Sequence, residues 1–253
     1  MFKQLGLISS FFFCASFNTL ANDNDKITEL TLATTHWCPY TCFESKSEFG
    51  VVGAYIEKIM SSYGIQLSVS SYPWSRAIHL ANTKKVDGLL TATPSEAPEL
   101  IFTQSPIASY QMCFYTLKSN RWTYKGDLNF NDNVLAVIQD YSYDQSLDTF
   151  IENNAEVIAI FGSDATQRLI QLLLTKRADI IAVDKLVLAY VSKNQLIDVS
   201  GLKNAGCLAK NDFYLALTPS TENKSLIAKL DRDLQLKENI AYYNQLITQF
   251  YNK

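Results

Sequence analysis

Thr83-Lys84-Lys85-Val86-Asp87-Gly88-Leu89-Leu90 returns, nearly intact, as Thr175-Lys176-Arg177-Ala178-Asp179-Ile180-Ile181-Ala182. One supersecondary unit is therefore used twice in the chain. Each copy follows a stretch with apolar residues at helical spacing, residues 76–80 and 167–174, and its basic residues suit the negative end of a helix macrodipole. Each copy then runs into a short apolar segment that ends on a polar residue, Thr91 in the first and Asp184 in the second. Unbroken apolar runs of this length read as parallel strands covered on both faces. Open α/β sheets bind ligands at the carboxyl ends of their strands. Two such sheets, one per lobe, would face each other across a cleft.

Outward from these copies the order is β-α-β-α-β. Residues 29–34 alternate as a strand, 53–63 read as an amphipathic helix closed by Gly64, 65–71 alternate again, and Pro73 opens the next helix. Residues 110–117 read as a strand leaving the first lobe. The second lobe starts its own cycle with a strand at 134–138, a helix from Asp144, a strand at 156–161 and a helix capped by Ser163 or Asp164. Residues 213–218 alternate like a strand returning to pair with 113–117, so that two antiparallel crossings form a hinge. Residues 226–251 supply one or two closing helices. The expected fold is a two-lobed α/β protein, each lobe a mostly parallel sheet flanked by helices. Its first lobe is discontinuous, 22–116 plus 208–253, and its second spans 117–207.

Residues 1–21 carry a lysine, an apolar stretch over 5–17 and small residues up to Ala21, the pattern of a secretory signal peptide. Cys14 falls inside it. The expected location is the periplasm. Twenty-two Lys and Arg against 25 Asp and Glu leave a net charge of −3, no basic field for nucleic acid. Four cysteines remain, Cys38, Cys42, Cys113 and Cys207, an even number in an oxidising compartment. Cys38 with Cys42 would staple a loop, and the C-x3-C spacing speaks against a redox motif. Cys113 with Cys207 is the preferred second pair, although sequence alone does not fix connectivity. His36 and His79 are the only histidines and neither has metal-ligand spacing, so no metal and no cofactor is expected.

The order of four segments resembles the extracellular solute-binding proteins of family 3, with the bacterial type II periplasmic binding fold. These are the loop around Pro39, Pro73-Trp74-Ser75-Arg76 leading to Val86-Asp87-Gly88, Phe102-Thr103-Gln104-Ser105-Pro106, and Arg177 to Ile181 leading to Val183-Asp184. The resemblance covers essentially the whole chain after residue 21. It implies a monomer that closes on a small polar solute and serves an ABC permease or a membrane sensor. It places Trp37 and Trp74 as the aromatic sandwich around the ligand, the alternative being that both are core. It places Thr91 and Thr93 at the ligand's polar head. The family's carboxylate-gripping arginine is replaced by Glu96, so a guanidinium clamp is missing. Arg76 would substitute as anion partner or be consumed in a salt bridge with Glu96.

In the second lobe Tyr141, Ser142 and Tyr143 occupy a loop before a helix N-terminus, suited to a polar oxygen. Asp184 matches the family's acid for a ligand ammonium, or else caps the next helix. Two other functions compete with solute binding. One is an enzyme on the same fold using Glu96 and Asp184 as paired acids, and the other is an interaction module without a small ligand.

Overall fold

A computed structural model describes residues 27–43, 49–139, 141–162, 164–194 and 197–252. The expected signal peptide, Cys14 and the Ser163 cap lie outside the described residues. In chain order the elements are β1 (Glu29–Thr34), α1 (Gly50–Ser62), β2 (Gln66–Ser71), α2 (Trp74–Asn82), β3 (Gly88–Ala92), β4 (Ile101–Phe102), β5 (Ala108–Tyr110) and β6 (Met112–Leu117). There follow β7 (Leu135–Ile138), α3 (Gln145–Asn153), β8 (Ile158–Ile160), α4 (Ala165–Leu174), β9 (Ile180–Asp184) and α5 (Lys185–Asn194). Last come β10 (Leu202–Cys207), β11 (Asn211–Leu217), α6 (Thr221–Leu234) and α7 (Lys237–Asn252).

Two sheets result. The first has the order β2-β1-β3-β11-β4, with β5 also on β11, and the second β10-β6-β9-β7-β8. The parallel trio β2-β1-β3 has its counterpart in β8-β7-β9. Each trio is flanked by an antiparallel strand, β11 in the first lobe and β6 in the second. The strands of the repeated unit, β3 and β9, are buried along their full lengths. Burying side chains such as Leu89, Leu90, Ile180 and Ile181 contributes about 1.5–3 kcal/mol each. At Gly88 the requirement is steric: a Cβ there would lie 2.0 Å from the Ala216 carbonyl oxygen on β11.

The turn that precedes each of these strands has the same construction. Lys84 and Lys176 both take left-handed backbone, φ 55° and 57°. The Thr83 hydroxyl donates to the His79 carbonyl at 2.7 Å, and the Thr175 hydroxyl to that of Gln171 at 2.6 Å. Asp87 accepts from the Thr31 N–H at 2.7 Å, and Asp179 from the Val134 N–H at 3.0 Å. Each aspartate thereby ties its turn to the central strand of its own parallel trio, β1 in the first and the start of β7 in the second.

The crossings differ from the expectation. The run 113–117 does not pair with 213–218: β6 lies between β9 and β10 in the second sheet, and β11 pairs with β3, β4 and β5 in the first. The chain changes lobes at Gln111, upstream of the boundary at 116–117 read from sequence, and returns between Cys207 and Asn211. The two crossings touch, the Leu208 N–H donating to the Met112 carbonyl at 2.9 Å and the Gln111 amide to the Leu208 carbonyl at 3.1 Å. Cys38–Cys42 and Cys113–Cys207 are disulfide-bonded, the second between directly opposed residues of β6 and β10. The C-terminal helices return to the first lobe, where Lys58 on α1 donates to Asn239 at 2.9 Å and the Tyr55 and Tyr243 rings lie 5.3 Å apart.

Candidate functional site

The carboxyl ends of both sheets meet at one cavity of about 360 Å³, including its open mouth. From the first lobe come Thr35 and Trp37 after β1, Trp74 at the start of α2, Thr91 on β3, and Thr93 and Glu96 in the turn that follows. The crossing strands bring Tyr110, Met112 and Phe213, and the second lobe brings Tyr141 and Ser142. Clefts that are mostly apolar with a few convergent polar groups are the usual form of small-molecule sites.

The aromatic wall is set by the loop after β1. Trp37 and Thr41 exchange backbone hydrogen bonds of 2.8 and 3.1 Å, and the Cys38–Cys42 bond closes the same loop. The Trp37 ring then packs against Tyr40 at 4.4 Å, and edge-on against Tyr110 at 5.5 Å, Phe213 at 5.7 Å and Tyr141 at 6.5 Å. Trp74 lies across the cavity in a separate apolar cluster with Ala33, Ala77 and Ala92. Both tryptophans are buried, and both line the cavity. The alternatives of core and cleft are thus not exclusive, since the same buried rings also line the cleft.

Glu96 is the polar centre. Its carboxylate accepts from the Trp74 indole N–H at 2.8 Å, from the Thr93 backbone N–H at 2.8 Å and from the Thr93 hydroxyl at 2.8 Å. Burial raises its pKa, opposed by these bonds and by one to the Ser142 backbone of the second lobe. Desolvation likewise raises the phenols of Tyr110 and Tyr141, the latter to about 12, so both are neutral at physiological pH. Thr91 and Thr34 share a buried hydroxyl contact of 3.0 Å that holds the Thr91 side chain at the cavity floor.

The lobes are in contact around this cavity. The Tyr110 hydroxyl donates to the Ser142 carbonyl at 3.1 Å, and the Asn211 amide donates to the Tyr143 carbonyl.

Trp37, Trp74, Thr91, Thr93, Glu96, Tyr141 and Ser142 are brought together at this cavity, whereas Arg76, Tyr143 and Asp184 lie outside it. Arg76 is exposed with its guanidinium 5.6 Å over the Tyr72 ring, so it is neither anion partner in the cavity nor counter-ion of Glu96. Tyr143 turns inward, its hydroxyl accepting from the Ile138 N–H at 2.8 Å. Asp184 follows its capping alternative. It accepts from Leu186 N–H at 2.8 Å, Val187 N–H at 3.0 Å, Gln111 N–H at 2.8 Å and the Tyr40 hydroxyl at 3.4 Å. Thr35, Tyr110, Met112 and Phe213 were not among the expected residues. Tyr110 and Phe213 sit on the two crossing strands, and aromatics on both crossings were the sequence signal for them.

No protein-family model matches the sequence, and no curated protein matches it. Solved structures do match in fold. A mutant of ArgBP from T. maritima is 18% identical with a TM-score of 0.71, over 89% of this chain and 96% of that one. A substrate-binding protein of an ABC uptake transporter from Streptococcus pneumoniae, with bound histidine, is 14% identical with a TM-score of 0.72, over 89% and 93%. A histidine kinase sensor domain with similarity to periplasmic binding proteins is 13% identical with a TM-score of 0.72, over 89% and 97%. Coverage of nearly the whole of each chain means that both lobes and their connection are shared. The protein has the two-lobed fold of the periplasmic binding proteins.

Proposed function

We propose that this protein is a solute-binding protein, periplasmic or extracellular, that captures a small polar molecule between its lobes as a monomer and presents the closed form to a membrane partner. The observation that carries this reading is the cavity itself, whose walls come from both lobes and from both crossings. A molecule held there contacts Trp74 and Glu96 on one side and Tyr141 and Ser142 on the other, so its binding favours the closed arrangement over an open one. Proteins of the same fold include a histidine-bound ABC component and a kinase sensor domain, which supports an ABC permease or a sensor as the partner class.

The enzymatic alternative needs Glu96 and Asp184 as a working pair. Asp184 instead spends its oxygens on the start of α5 and on Gln111, and it does not line the cavity.

Thermal shift of the purified protein against amino acids, amines, quaternary ammonium compounds, sugars and carboxylates tests the reading. A saturable rise in Tm with one-to-one stoichiometry, removed by Trp74→Ala, is expected. Absence of binding across the panel overturns it in favour of an interaction module, and turnover of a bound molecule overturns it in favour of an enzyme.

A further inference from the structure

The charge of the solute follows from what surrounds the cavity, given the solute-binding reading above. Among the described residues of the lining Glu96 holds the one carboxyl group, and none is a lysine, arginine or histidine. Its donors, Trp74 and Thr93, are neutral. They orient the carboxylate and favour its ionised form without cancelling its charge. Among the described residues no cation contributes to the Glu96 carboxyl, and Arg76 is turned away over Tyr72.

Five of the other lining residues are aromatic, Trp37, Trp74, Tyr110, Tyr141 and Phe213, and the rest are uncharged. Aromatic faces are negative and attract ammonium groups, most strongly where water is excluded. The adjoining groove shares Glu96, Tyr141 and Ser142 with the cavity and adds Asp148 and Glu152, again with no basic residue among its described ones. A groove of one sign raises the local concentration of the opposite ion.

We propose that the cavity takes a small organic cation that carries no carboxylate, its positive group against Glu96 and its alkyl surface against the indoles. A ligand carboxylate would bring like charge to Glu96 with no guanidinium to receive it. The glutamate thus does more than replace an arginine: it inverts the charge that the site selects.

Two matched pairs test this by calorimetry on the unmodified protein: choline against glycine betaine, and agmatine against arginine. In each pair the cationic group is kept while a carboxylate is introduced, in place of the hydroxymethyl group of choline and of a hydrogen of agmatine. At least tenfold tighter binding of choline or agmatine than of its carboxylated partner is expected, and Glu96→Gln should weaken that binding at least tenfold while the circular dichroism spectrum is unchanged. Tighter binding of glycine betaine or arginine overturns the proposal and leaves the solute-binding reading intact. Binding of some other, uncharged or anionic, member of the wider panel does the same. Failure of every compound removes the solute-binding reading as well. The matched pairs need no variant, so the result stands even if Glu96→Gln does not fold.

Discussion

The turns at residues 83–87 and 175–179 agree in their chemistry down to the threonine hydroxyl, the left-handed lysine and the tethering aspartate, yet the strands they launch end differently. After β3 the chain passes through Thr93 and Pro94 into a turn with no helix, so Thr91, Thr93 and Glu96 are left facing the cleft. After β9, α5 begins at once, and Asp184 is consumed by the N–H groups of Leu186 and Val187. A polar residue at a strand's carboxyl end is therefore free to meet a ligand only where no helix starts directly behind it. The unit is duplicated, and the copy whose exit stays irregular is the one that lines the cleft.

If this division holds, Asp184→Ala is the most destabilising change at the two strand ends. It leaves three backbone N–H groups without their acceptor in a buried place, and about 4 kcal/mol should be lost in urea denaturation. Thr91→Ala, at the end of the other copy, should cost about 1 kcal/mol or less, since one hydroxyl contact is involved. Equal losses would erase the contrast. Next in size is Gly88→Ala, which places a methyl 2.0 Å from the Ala216 carbonyl oxygen and should cost about 3 kcal/mol. The second copy has Ile180 at this position, and Ile180→Val should cost about 1 kcal/mol. A tolerated Gly88→Ala would mean that β11 can move away from β3, making the two lobes more alike than their sequences suggest.

The pH dependence of the cleft sharpens the same comparison. Burial raises the Glu96 pKa, so the folded state favours its protonated form. That contribution to stability is present below the ordinary carboxylate range and is lost as pH rises through the raised pKa. Affinity for an organic cation has the opposite slope, since it needs the ionised carboxylate, and should rise about tenfold or more over that window. The facing groups are the Tyr110 and Tyr141 phenols, neutral throughout, and Asp148 on α3, also raised by burial, with Glu152 beside it in the groove. Glu96→Gln should flatten most of both slopes in paired thermal-shift and calorimetric series. A slope that survives in Glu96→Gln would assign the titration to Asp148.

Much of this was legible beforehand because it depends on local pattern. The strand Glu29–Thr34, the Gly64 helix stop, the helix start at Asp144 and the paired turns all follow from periodicity and capping chemistry. Strand partners did not, because alternation in 113–117 and 213–218 says that both are strands and nothing about which neighbour each selects. The strand Leu202–Cys207 was hidden by Asn204 and Gly206, which form a bulge where the Asn204 side chain accepts from the Gly206 N–H at 2.8 Å. Arg76 could have been placed by helical period alone. Trp74, Ala77 and Ala81 make the buried stripe of α2, and Arg76 lies about 200° around the axis from Trp74. Tyr110 and Phe213 required the crossings to be located first, and that is tertiary information.

The smallest expected effect tests whether the two turns are energetically as well as geometrically equivalent. Lys84 and Lys176 hold left-handed backbone, which costs an L-residue with a side chain about 1–2 kcal/mol. Glycine removes that cost but adds chain entropy to the unfolded state, offsetting about half of it. Lys84→Gly and Lys176→Gly should therefore each stabilise the protein by about 0.5–1 kcal/mol. The two gains should add in the double variant, because the turns belong to different lobes and share no partner. A gain at Lys176 with none at Lys84 would show that the first turn draws something further from its lysine. It would then be the copy with the irregular exit, rather than the capped one, that has departed from the shared design.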